Sequence, residues 1–207
     1  MKSFTELLEG VYDPNIFKAF FMAGGPGSGK SFAVQKGIGQ VQKGVRVTAQ
    51  GLKVVNSDDI FEKYLKDAQL DFKMQAGQKS ERDKLRTKAK EVTRKRQDNY
   101  IEGRLGMVID GTGKDYGKIT TQASGLKQLG YDVHMIFVNT SLETALERNA
   151  KRERTVPRSI ATKSWKTVQS NMGKFSQYFR QNFIVVDNND SDEDVMGPVY
   201  KLSLIHI

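Results

Sequence analysis

Residues 16–31 read IFKAFFMAGGPGSGKS. Ile16 to Ala23 is apolar but for Lys18, the composition of a strand buried on both faces. A glycine-rich turn follows at once, and a helix is read from Ser31 to Val41. The turn, Gly24-Gly25-Pro26-Gly27-Ser28-Gly29-Lys30-Ser31, satisfies G-x-x-x-x-G-K-[ST] in full and in the right context. Its glycines let backbone N–H groups converge on phosphate oxygens where a side chain would block the approach. The helix N-terminus adds partial positive charge. Lys30 is placed to reach the terminal phosphates, and the Ser31 hydroxyl to ligate magnesium. The stretch is therefore a P-loop, and ATP with Mg2+ is its expected ligand.

Outward from this turn, strands alternate with helices. Strands are expected at Leu52–Val55, Gly106–Ile109, Asp132–Val138 and Phe183–Val186. Helices are expected around Ile60–Ala68, over the charged stretch Leu70–Arg104 (one or two), and at Lys118–Leu129. Thr140 and Glu143 are spaced as a capping box for a further helix. Ala161, Trp165, Val168, Met172, Phe175 and Phe179 mark the core face of a long one. An amphipathic N-terminal helix carries Phe4, Leu7, Leu8 and Val11 on one face and stops before Pro14. The pattern predicts an α/β P-loop fold: about five parallel strands with helices on both faces, in one domain over 1–207. Within it, 57–104 is an acceptor-side helical insert and 149–158 an arginine lid. The uncharged apolar ending, Lys201 to Ile207, reads as a truncated or non-native tail.

Composition narrows the chemistry. The 207 residues carry a formal charge of +9 and no cysteine, with two histidines. Disulfides, thiolate metal sites and cysteine nucleophiles are excluded. His134 lies in an apolar run and reads as a packed strand residue. Acid–base work falls to carboxylates, and charge stabilisation to Lys, Arg and a metal. No apolar run reaches the roughly 20 residues that cross a bilayer. The N-terminus lacks the pattern of a signal peptide, so the expected location is the cytoplasm, of a host cell if the protein is viral. Lys79 to Arg96 holds nine basic and three acidic residues, whereas Asp187 to Asp194 holds five acidic and no basic ones. A basic excess attracts polyanions but does not set a fold.

Three constellations fall at strand ends, where open parallel sheets bind ligands. After the second strand comes Asn56-Ser57-Asp58-Asp59. A kinase needs a carboxylate to orient and deprotonate the acceptor hydroxyl, though the same residues equally serve as a helix N-cap. The third strand ends Met107-Val108-Ile109-Asp110, with Asp110 placed to hold magnesium and Thr112 and Lys114 just beyond. Arg148, Arg152, Arg154 and Arg158 form an arginine set suited to neutralising a transferring phosphoryl group, or a solvated basic loop. No N-K-x-D element for guanine is present, which argues against a GTPase. Adenine recognition is expected near Asn188 and Asn189 on position alone.

GGPGSGKS, then NSDD, IDGT and ERNAKRERTVP, resemble the small P-loop kinases. Within these, the chain is most similar to phage-type polynucleotide kinase domains and to the zeta-toxin family, over about Ile16 to Val186. The resemblance implies an adenylate-kinase-like core, with Asp58 as catalytic base and Arg152 as a transition-state arginine. It also implies Asp110 and Thr112 as acceptor contacts. The chain departs from polynucleotide kinases after the aspartate pair, where Ile60, Phe61, Glu62 and Lys63 stand in place of an arginine.

The expected activity is transfer of the γ-phosphoryl group of ATP to a hydroxyl. Lys30, Asp58, Arg152 and Arg154 are its catalytic residues, Arg148 joins the P-loop at the nucleotide, and Asp58, Asp59, Asp110 and Thr112 face the acceptor. The acceptor is a nucleic-acid 5′ end, a nucleotide or a sugar nucleotide. Lys79–Arg96 suits a phosphate backbone, but no aromatic residue interleaves before Tyr100 to stack bases. Two rival readings are a P-loop ATPase that grips nucleic acid without phosphorylating it, and a degenerate P-loop with a structural role.

Overall fold

The computed structural model describes residues 16–38, 46–48, 51–72, 78–152 and 155–189. The expected N-terminal helix, Arg154 and the Lys201–Ile207 tail lie outside them. Five strands form one parallel sheet: β1 (Lys18–Ala23), β2 (Lys53–Val55), β3 (Met107–Asp110), β4 (Asp132–Asn139) and β5 (Phe183–Asp187), in the order β2-β3-β1-β4-β5. The order reverses about β1, because the chain builds β2 and β3 on one side of it and then crosses over to β4 and β5. The P-loop thus leaves the central strand where the two halves diverge, the crevice in which open α/β sheets hold ligands.

Strand periodicity assigns each β1 residue to a face. Ala19, Phe21 and Ala23 pack with Val133, Met135 and Phe137 under α4 (Tyr116–Gln128) and α6 (Arg158–Phe179). Phe20 and Met22 pack on the opposite face with Ala33, Val34 and Ile38, at and just beyond α1 (Lys30–Gly37). Burial on both faces is why the strands are continuous apolar runs rather than alternating ones. His134 belongs to this core. It is 1% exposed, stacks on Phe20 and lies 2.7 Å from Asp132 Oδ2 through Nε2.

The remaining helices are α2 (Asp58–Asp67), α3 (Lys79–Glu102) and α5 (Leu142–Ala150). Helix α3 is a single 24-residue helix that meets α2 through Phe61, Leu65 and Ala89. Its basic residues are not all solvated. Arg82 is buried and donates to the Asp71 and Phe72 carbonyls just past α2.

The capping box expected at Thr140 and Glu143 lies one residue further on. Ser141 caps α5, its hydroxyl accepting from Thr144 N. Thr140 is buried instead, and its Oγ1 donates to the Ser28 carbonyl at 3.1 Å. Helix α4 starts two residues before the expected Lys118, since Asp115 Oδ1 accepts from the Lys118 N–H and caps it.

Phe175 is fully buried and touches Tyr116 and Phe179 within the α4–α6 layer. Phe175→Ala is expected to lower stability by about 3–5 kcal/mol through lost burial and the void left behind. Urea unfolding checks this, and a loss well below about 1 kcal/mol would mean that the layer collapses around the gap.

Candidate active site

The P-loop adopts its shape through left-handed glycines. Gly27 and Gly29 have φ of 82° and 85°, conformations that side chains resist. A Cβ on Gly27 would also overlap the Ala145 carbonyl, so α5 packs against the bare backbone there. Two further elements hold the turn by donating hydrogen bonds to the Ser28 carbonyl. Thr140 Oγ1 reaches it from the end of β4, and Asn188 Nδ2 at 2.8 Å from the end of β5. Trp165, read from the sequence as core, is half-buried against Gly25 and donates Nε1–H to the Thr140 carbonyl at 2.8 Å. The cradle is thus braced by β4, β5 and α6 together.

Lys30 points back along the loop, with Nζ donating to Gly24 O at 2.8 Å and Gly25 O at 3.3 Å. Burial pushes this ammonium below the ordinary lysine value, while Asp110 pulls it back up, Arg152 adds to the lowering and Asp58 counters it. Asp110 mirrors this. Burial raises its carboxyl above the usual carboxylate range, with Lys30 opposing and Asp58 reinforcing the rise. Lys30, Asp58, Asp110 and Arg152 therefore stand in one another's field, although three separate strand ends and a loop supply them.

Asn56 links the two aspartates. Its Nδ2 donates to Asp110 Oδ2 at 2.8 Å, and its Oδ1 accepts from the Asp58 N–H at 2.7 Å. The first backbone donor of α2 is thereby satisfied by Asn56, and the capping residue Ser57 makes no side-chain cap. The Asp58 carboxylate accepts from Arg86 Nη1 at 2.6 Å. Asp59 pairs with Arg46, so the neighbouring aspartates are engaged by different partners. Arg46 also lies in the field of Asp110 and Asp58.

Beyond β3, the Thr112 carbonyl accepts from the Gly24 N–H at 3.1 Å, and Asn171 Nδ2 of α6 donates to the Gly113 and Lys114 carbonyls. This ties the post-β3 loop to the P-loop, with the Thr112 and Lys114 side chains exposed. At the far side, Arg148 Nη1 and Nη2 donate to the carbonyls of Asn188 and Asn189 at 2.6 and 3.2 Å. Arg152 is exposed just past α5, and Arg158 is exposed at the start of α6. Buried Asn149 closes the arginine loop at its base, donating to Val156 O and accepting from Val156 N.

Asn149→Ala removes both of those bonds. The expected result is faster hydrogen exchange at the Val156 amide, by about ten-fold or more. An unchanged rate would show that the loop is held from elsewhere.

The zeta toxin family profile matches residues 13–195. The chain belongs to the zeta toxin family. No curated protein sequence matches it. This zeta-toxin-family chain is similar in fold to a chain of the AvrRxo1-ORF1:AvrRxo1-ORF2 complex solved with ATP, with TM-score 0.66 and 14% identity over 91% of this chain and 63% of that one. It thus spans less than two thirds of that protein. A chain of the PezAT chromosomal toxin–antitoxin system of Streptococcus pneumoniae gives TM-score 0.57 and 14% identity, covering 91% of this chain and 85% of that one. A chain of the Pnkp1/Rnl/Hen1 RNA repair complex gives 0.56 and 18%, covering 77% and 46%. At such identities the likeness is one of fold, that of the P-loop kinases.

Asn56, Arg46 and Arg86 were not singled out as site residues from the sequence. Asn56 stood inside the quoted NSDD stretch, and its position at a strand end was a usable signal. Arg86 had none, being one of nine basic residues in a helix. Arg46 precedes β2 in a segment without a motif. No helix among the described residues is long and apolar enough to cross a membrane.

Proposed function

We propose that this protein transfers the γ-phosphoryl group of ATP to a hydroxyl of an acceptor molecule. The observation that carries this reading is the gathering of Asp58 and Asp110 about Lys30 through Asn56. Asp58 is a second, differently placed carboxylate beside Asp110, able to take the proton of an attacking hydroxyl. In the reaction, the acceptor oxygen forms a bond to the γ-phosphorus as the bridging oxygen to the β-phosphate leaves with ADP. The acceptor proton passes to the Asp58 carboxylate. Lys30 and the loop amides hold the phosphates, and Arg152 neutralises charge that spreads over the equatorial oxygens. Arg154, in the same loop, is the second closing charge. Arg148 orders the Asn188–Asn189 turn beside the nucleotide.

Ser31 and Asp110 would hold Mg2+. They offer only hard oxygen donors, and no group of three or more His, Cys, Asp or Glu residues that could hold an ion occurs among the described residues. Both features suit a cation that takes few protein ligands and the rest from phosphates and water. Bound there, it would offset the charge of the β- and γ-phosphates.

Helices α2 and α3, with Asp59 and Thr112 nearby, form the acceptor side. The acceptor is a nucleic-acid 5′ hydroxyl, a nucleotide or a sugar nucleotide, and the reaction is set in the cytoplasm, where ATP is abundant. Label transfer from γ-labelled ATP into a panel of these compounds tests the proposal. Label in one class names the acceptor. Free phosphate alone, released faster with DNA or RNA, would favour a nucleic-acid-gripping ATPase instead. That second reading draws on exposed Lys79, Lys84, Lys88, Lys90, Arg94 and Lys95 along α3.

A further inference from the structure

We infer that Arg86 binds a phosphate group of the acceptor and so seats the acceptor's hydroxyl at Asp58; this rests on the phosphotransfer reading above. Arg86 comes from α3, outside every motif of the P-loop core. Its Nη1 donates to Asp58 Oδ1 at 2.6 Å, and its guanidinium lies over the Phe61 ring at 4.9 Å. Phe61 is itself buried in the α2–α3 contact. The guanidinium is therefore flanked by an aromatic ring and held at one nitrogen by the carboxylate.

A guanidinium has five N–H donors in a rigid fork. Among the described residues Arg86 bonds only to Asp58, and its side chain is 34% exposed. Donors thus remain beside the proposed base on a half-exposed side chain. A planar fork matches two oxygens of a phosphate, which a lysine would meet only as a point charge. An arginine serving only to brace Asp58 would have no use for the remaining donors. Bridging through one guanidinium also sets a short distance between the base and the bound anion. The acceptor hydroxyl must then lie close to a phosphate in the same molecule, which disfavours neutral sugars and alcohols. Cations stand by each carboxylate of the site: Lys30, Arg46 and Arg152 in the field of Asp110, Arg46 against Asp59 and Arg86 on Asp58.

The test keeps the P-loop filled. The full chain is saturated with a non-hydrolysable ATP analogue and Mg2+, and inorganic phosphate is titrated calorimetrically. We expect the loaded wild type to bind one phosphate. Arg86→Gln should weaken that binding by about 10- to 100-fold, the usual effect of losing charge-assisted hydrogen bonds. Arg86→Lys, which keeps the charge without the fork and guards against misfolding of the first variant, should fall in between. Affinity for the ATP analogue should hold in both. In turnover with the acceptor found by label transfer, acceptor KM should rise while ATP KM stays. No phosphate binding to the loaded wild type, or binding untouched by Arg86→Gln, would leave Arg86 as a brace for Asp58 and sink the inference. Because the titration reads binding and not transfer, its failure leaves the kinase reading standing. Phosphate binding with no label transfer to any acceptor would do the reverse.

Discussion

Asp58→Asn is expected to lower phosphoryl transfer by about 10²- to 10⁴-fold, the range in which a positioned general base contributes, with ATP affinity nearly unchanged. The substitution keeps the size of the side chain and an oxygen for Arg86. The backbone bond from Asp58 N to Asn56 Oδ1 at 2.7 Å is untouched, so the start of α2 should hold. What is lost is the capacity to take a proton from the acceptor hydroxyl and to orient it by its charge. In the proposed site nucleotide binding depends on the loop amides and Lys30, whereas the Asp58 carboxylate bonds to Arg86. Label transfer and ATP-analogue titration on the same preparation separate the two effects. Turnover within a few-fold of wild type would mean that Asp58 only pairs with Arg86, and that the proton leaves by another route. A parallel loss of ATP affinity would mean that the charge balance around Lys30 needs Asp58.

Lys30→Met should remove a preorganised positive charge where negative charge accumulates, costing about 10²- to 10³-fold in turnover, along with weakened nucleotide binding. The reason lies in how the ammonium is held. Nζ donates to Gly24 O and Gly25 O, which orients it with no reorganisation at the moment of reaction. Burial lowers its proton affinity and Asp110 opposes that lowering, so a partner at the end of the neighbouring strand β3 favours the charged form. Arg is not a conservative replacement, because its planar fork is wider than an ammonium and cannot share the same two carbonyls on equal terms. Single-turnover rates with saturating ATP analogue controls check the point. If turnover survives Lys30→Met, the loop amides and the cation alone carry the phosphates.

Much of this architecture was legible in the chain. Ile16–Ala23 could hardly be anything but a doubly buried strand. GGPGSGKS has one known use between a strand and a helix, and the stripe from Ala161 to Phe179 follows helical period closely. Each of these is a local rule, set by residues within one or two turns of each other. The capping box at Thr140 failed because a hydroxyl can serve more than one acceptor. Thr140 is drawn inward to the Ser28 carbonyl, 112 positions away, and Ser141 takes the cap.

Pairing across long separations follows no such local rule. Asp58 could be a cap or a base by sequence, and the structure sets its carboxylate against Arg86, 28 positions on. Asn56 meets Asp110 across 54 positions because β2 and β3 lie side by side and end at the same level. The order β2-β3-β1-β4-β5 brings these strand ends to the P-loop, whereas no spacing in the chain encodes which strand lies beside which. Periodicity depends on backbone geometry that every residue shares. Neighbourhood between strand ends depends on how whole faces are buried, and that is settled only when the sheet closes over its helices.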